Sequence, residues 1–102
     1  MARITIDIEA AKTYVAVNCS EKLKYTNNWS DCSESQTGDP VNVYGDTDSL
    51  QTVTKLFNDA QGTDPAAAGY YSCRCGDTDL KYYIIYWDGE KTVTDRNDCN
   101  CP

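Results

Sequence analysis

The strongest constraint on this chain is the stretch Leu80 to Trp87, which is apolar or aromatic at every position except Lys81. A strand with apolar residues on both faces normally lies inside a sheet with both faces covered. The flanking sequence predicts its neighbours. Tyr70 to Cys75 reads as one partner strand, entered through the turn Gly76-Asp77-Thr78-Asp79. Glu90 to Val93 reads as the other, entered through Asp88-Gly89. Asp-Gly between apolar runs signals a two-residue hairpin turn. It predicts that Trp87 pairs with Glu90, Ile85 with Thr92 and Ile84 with Val93. Alternation places Tyr82 and Tyr86 on one face and Tyr83 and Trp87 on the other. These four are candidate interface residues, because exposed Tyr and Trp combine a large rigid body with a polar tip.

Upstream, Ile4, Ile6 and Ile8 alternate with Arg3, Thr5, Asp7 and Glu9. That spacing predicts a strand with one solvated side, forming a hairpin with Thr13 to Cys19. Tyr25 to Trp29 reads as a tight turn, and Val41 to Tyr44 as a short strand ended by Gly45. Leu50, Val53, Leu56, Phe57 and Ala60 recur at helical spacing. With Asp48 as cap and Gly62 as stop, they predict a helix over about 49–61 that lies on the sheet. The expected fold is therefore α+β. Residues 1–102 form a single domain with five to seven short, mainly antiparallel strands and one packed helix, stapled by disulfides.

Six cysteines stand at Cys19, Cys32, Cys73, Cys75, Cys99 and Cys101. An even, high count predicts disulfides, and bridges persist in oxidising surroundings. A Cys19–Cys32 bridge would close a short loop. Cys73 and Cys75, on one strand face, would meet Cys99 and Cys101 as parallel staples, or share bridges with the first pair. The alternative use of these residues is a zinc site with four thiolate ligands, although Cys-X-Cys spacing departs from the usual two to four intervening residues.

The sequence contains no His, which removes His-based triads and His-ligated metals. It shows no glycine-rich phosphate loop. Gly-Asp-Thr-Asp occurs twice, and Asp77 and Asp79 in the second copy are calcium candidates through their oxygens. The plainer reading is an ordinary turn, and no cofactor is expected. Sixteen acidic against nine basic residues leave a net charge of −7. This disfavours binding to a nucleic-acid backbone, which needs clustered Lys and Arg. No apolar run is long enough to span a membrane.

The N-terminal residues alternate like a strand, so no secretory signal peptide is visible, whereas the cysteines point to an oxidising location. A virion protein satisfies both. The function expected is that of a non-enzymatic structural or assembly protein of a virion or extracellular particle, acting through sheet edges and aromatic contacts with protein partners. The alternatives are a small acidic binding module or inhibitor of a basic partner, and a zinc-stabilised module.

Overall fold

The computed structural model describes residues 13–19 and 23–101. Eight strands form two antiparallel sheets, and the described residues contain no helix. The strands are β1 (Val15–Ala16), β2 (Lys24–Thr26), β3 (Asp39–Pro40), β4 (Tyr44–Gly45), β5 (Leu56–Phe57), β6 (Gly69–Arg74), β7 (Tyr82–Trp87) and β8 (Val93–Cys99). The larger sheet has the order β3-β2-β6-β7-β8, and the smaller has β1-β4-β5. Strand β7 is interior to the larger sheet as expected, flanked by β6 and the edge strand β8. The expected strand over Ile4 to Ile8 lies outside the described residues. Its expected partner segment contributes β1, which pairs with β4.

The expected α+β class is corrected to all-β, because the helix over 49–61 does not form. Only one helix-like turn closes there: the N–H groups of Thr52 and Val53 donate to the Ser49 carbonyl at 3.1 and 2.9 Å. Next in line, Thr54 N–H donates to the Asp46 carboxylate at 2.8 Å. The carbonyls that a helix would use are also taken. Arg96 on β8 donates to those of Leu50 and Gln51 at 3.3 and 2.9 Å, and to that of Val53. The run Thr52-Val53-Thr54 is β-branched, which weakens helix formation further. Leu50, Val53, Leu56 and Phe57 are nevertheless all buried. Their helical spacing reports burial along a turn and a short strand. Gly62, at φ +73°, lies against the Tyr14 ring and serves a turn instead of a helix stop.

The Asp88-Gly89 turn is longer than expected. A two-residue type I′ turn needs positive φ at both positions, and only Gly89 has it, at +85°. Instead the Asp88 carboxylate accepts the N–H groups of Glu90, Lys91 and Thr92. Trp87 pairs with Val93, Ile85 with Arg96 and Ile84 with Asn97, and the ladder shifts at Tyr86/Trp87. At the other end, Cys75 N–H donates to Lys81 O at 3.0 Å, so the loop is Gly76 to Leu80, one residue longer than expected.

The large sheet is covered on both faces. Paired residues share a face, so Tyr25, Tyr71, Cys73, Tyr83, Ile85 and Trp87 lie together. They meet Leu23, Val43, Leu50, Val53 and Leu56 in the main core. Tyr70, Ser72, Tyr82, Ile84 and Cys99 lie on the opposite face, where Trp29 and Cys32 from the 27–38 loop pack on them. Gly69 is required at its place in β6: its φ is +150°, and the Tyr25 ring lies where a β-carbon would stand.

Acidic side chains organise several turns. Asp59 accepts the Thr63 hydroxyl and the N–H groups of Thr63 and Asp64. These bonds hold its carboxyl below the ordinary aspartate value of 3.8. The Glu90, Lys91 and Thr92 amides do the same for Asp88. Partial burial pushes Asp46 upward, but bonds from Thr54 and Lys55 outweigh it and leave it lowered. A carboxyl lowered by folding contributes stability above its unfolded pKa, and that stability is lost as pH falls through the folded pKa. The urea midpoint should therefore be flat near neutrality and decline once pH drops below about 4. A triple variant, Asp46→Asn, Asp59→Asn and Asp88→Asn, should start lower at neutral pH and decline less. An equal acid decline in the variant would assign acid sensitivity to other groups.

Candidate functional site

All six cysteines are paired, as Cys19–Cys73, Cys32–Cys99 and Cys75–Cys101. The zinc alternative is thereby corrected, since no thiolate remains to bind metal. The expected Cys19–Cys32 bridge does not form either, because the large sheet separates the two. Cys19 packs with the main core, whereas Cys32 packs on the opposite face. Of the parallel staples expected between Cys73/Cys75 and Cys99/Cys101, one forms, Cys75–Cys101. Cys99 stands opposite Tyr82 and Cys73 opposite Tyr83, so these two point to different faces. Three disulfides are compatible with an extracellular or otherwise oxidising location.

The two acidic turn residues face cations of the chain. Asp79 lies 3.5 Å from the Arg74 guanidinium, and Asp77 lies 3.9 Å from the Lys81 ammonium. No group of three or more metal-ligating side chains gathers among the described residues.

The four interface candidates divide in two. Tyr82 and Trp87 have no exposed surface, so they hold the core together and present nothing to a partner. Trp87 Nε1–H donates to Ala66 O at 2.8 Å. Tyr82 OH donates to Glu34 O and accepts from Trp29 Nε1–H, both at 2.8 Å, and burial pushes its pKa up. Tyr83 and Tyr86 keep part of their surface.

Tyr86 belongs to a row of three half-buried rings. Its centroid lies 4.9 Å from that of Tyr70, and Tyr70 lies 5.6 Å from Trp29. Strand pairing creates the first contact, because Tyr70 stands directly opposite Tyr86. The second depends on the 27–38 loop, which is anchored by Cys32–Cys99, the Trp29–Tyr82–Glu34 hydrogen bonds and a buried Gln36–Ser72 bond of 3.0 Å. Trp29 had no place among the candidates, since it stands in a polar stretch. The parity of Tyr70 and Tyr86 was the one available signal for the row.

A separate cavity of about 490 Å³ opens beside the other end of the sheet. The Cys19–Cys73 disulfide, Leu50 and Tyr83 line it together with Asn18, Ser49 and Gln51. Its lining contains no carboxylate.

No protein-family model matches this chain, and no curated protein or solved structure matches it either. The site's own chemistry therefore carries the functional reading. Rigid aromatic and polar groups on a stapled sheet, with Arg74 also in the cavity wall, are equipped for contact and recognition. None of the described residues lies in a helix long and apolar enough to cross a membrane.

Proposed function

We propose that this protein is a non-enzymatic structural or assembly protein of a virion or another extracellular particle, working through protein–protein contacts. The observation that carries the reading is the way the large sheet ends. Its outermost strand, β8, is seven residues long and, beyond the Val93 N–H taken by Thr54 O, has β7 as its one strand partner among the described residues. Two disulfides, Cys32–Cys99 and Cys75–Cys101, hold its end to the rest of the fold. A sheet edge presents backbone donors and acceptors that a neighbouring chain can extend. Asp95, Arg96 and Asp98 on β8, with the ladder shift beside Thr94, resist indiscriminate pairing and favour one defined register. Three bridges suit a particle that persists outside cells.

Size-exclusion chromatography with light scattering across a range of concentrations tests this reading. Self-association, or co-assembly with particle proteins expressed beside it, is the expected result. A strict monomer that joins no assembly in either arrangement counts decisively against it. The net charge of −7 supports a second reading, an acidic module that captures a basic partner. Salt-sensitive binding to one basic protein, without assembly, would select it.

A further inference from the structure

We propose that the Trp29–Tyr70–Tyr86 row is a binding site for a neutral glycan chain. The inference goes beyond the assembly reading and is independent of it, since a monomer can bind sugar.

The three rings follow one another on the sheet face with centroid steps of 5.6 and 4.9 Å, each tilted to the next by 50° and 64°, so they present separate aromatic surfaces along one line. A pyranose ring presents a face of C–H groups that packs against aromatic surface, and a rim of hydroxyls that needs hydrogen-bonding partners. Both are present here. Directly paired residues share a face, so Asp95 stands beside Tyr86, and Asn97 stands beside Ile84 on the same side. The Asn97 carboxamide and the hydroxyls of Tyr70 and Tyr86 make no hydrogen bond among the described residues. Asp95 commits one oxygen to the Arg96 N–H at 2.9 Å, and a carboxylate has a second that accepts. Planar amide and carboxylate groups beside aromatic rings can hold adjacent hydroxyls while the rings take the C–H face.

The site is also stiff. Trp29 is held by its bond to Tyr82 at 2.8 Å, and its loop by the Cys32–Cys99 bridge. Tyr70 and Tyr86 sit on two adjacent interior strands of the sheet. Preordered rings lose little entropy on binding, which matters for a ligand that offers only small increments per sugar.

Charge selects the class of ligand. A chain of net charge −7 repels sulfated glycans, nucleic acids and anionic lipid. Lys24, opposite Ser72 on this face, opposes a cationic peptide, whereas Asp95 and the Asp31 and Glu34 carboxylates near Tyr82 would attract one, so the lysine hexapeptide is the comparator that decides. The rings and the Asn97 carboxamide are themselves uncharged, which suits an uncharged polyol.

The test is a set of NMR titrations of the intact, oxidised protein. The probes are neutral hexasaccharides of β-1,4-glucose, β-1,4-N-acetylglucosamine and α-mannose, with a heparin hexasaccharide and a lysine hexapeptide as charged comparators. At least one neutral sugar should shift the Trp29 indole N–H resonance saturably. Tyr86→Ala and, separately, Asn97→Ala should each weaken that binding roughly tenfold or more. Asn97→Ala alters a surface amide and keeps the rings, so it reads the site even where Tyr86→Ala disturbs folding. Silence from all three neutral sugars at about 10 mM, which puts affinity weaker than roughly −3 kcal/mol, overturns the proposal. So does binding that neither variant weakens, or saturable binding of a charged comparator alone.

Discussion

Replacing Trp87 with alanine is expected to destabilise the protein by about 4 kcal/mol, in the range for removing a large aromatic from a packed core. Trp87 has no exposed surface, lies 6.5 Å from the Phe57 ring at a tilt of 59° and packs in the cluster that joins the two sheets. Its loss leaves a void between the sheets and also strips Ala66 O of its indole donor. The Trp87→Phe variant separates the two effects. It retains most of the ring and loses the N–H, so it should cost about 1–3 kcal/mol, the range for an unsatisfied buried acceptor. Urea denaturation with unchanged slope checks both. A loss below about 1 kcal/mol in the alanine variant would mean that the core collapses around the gap.

Removing the Cys32–Cys99 bridge through Cys32→Ala and Cys99→Ala should have an effect of similar size for a different reason. The bridge spans 67 positions. With Cys19–Cys73 and Cys75–Cys101 intact, however, the loop it closes in the unfolded chain runs through them and holds only about 17 positions, which corresponds to about 3 kcal/mol of chain entropy. For a domain of this size the thermal midpoint should fall by roughly 10–25 °C. The consequence for the surface is specific. Without the bridge, the 27–38 loop loses its covalent tether and is held by hydrogen bonds such as Trp29–Tyr82–Glu34 and Gln36–Ser72, so Trp29 should lose its fixed place beside Tyr70. Its indole N–H resonance should broaden or move, while that of Trp87, on the other face, stays put. If the midpoint falls by less than about 5 °C, the loop is held by its side chains and the bridge adds little.

Much of the central sheet was legible from local pattern. The unbroken apolar run of β7 requires cover on both faces, and the structure supplies it with the small sheet on one side and the 27–38 loop on the other. Alternation assigned Tyr82 with Tyr86 and Tyr83 with Trp87 to opposite faces, as observed. What alternation could not say is which of these aromatics stay exposed. Tyr82 and Trp87 end fully buried because distant segments, around Trp29 and Leu56, fold over them. Exposure is a property of the covering segment as much as of the covered residue.

The missing helix shows the same limit from the other side. Leu50, Val53, Leu56 and Phe57 are spaced as a helix would space them, and all four are buried. The choice of backbone was made by partners remote in sequence. Arg96 takes three carbonyls of this segment, and Val93 N–H takes the Thr54 carbonyl at 2.9 Å. A hydrogen-bond donor some 40 residues away competes with an internal one only after the sheet has brought it close, so periodicity within one window is blind to it.

The sequence alone determined a central double-faced strand, flanking antiparallel partners, a disulfide-forming cysteine set and the absence of histidine chemistry. These follow from side-chain type and nearest-neighbour spacing. The tertiary structure decided which cysteines pair, because pairing depends on which face of the sheet each sulfur reaches. It also decided that the segment after Asp48 is turn and strand, and that Trp29 joins Tyr70 and Tyr86 in one row. Those outcomes rest on contacts between segments far apart in the chain, whose energies no local pattern contains.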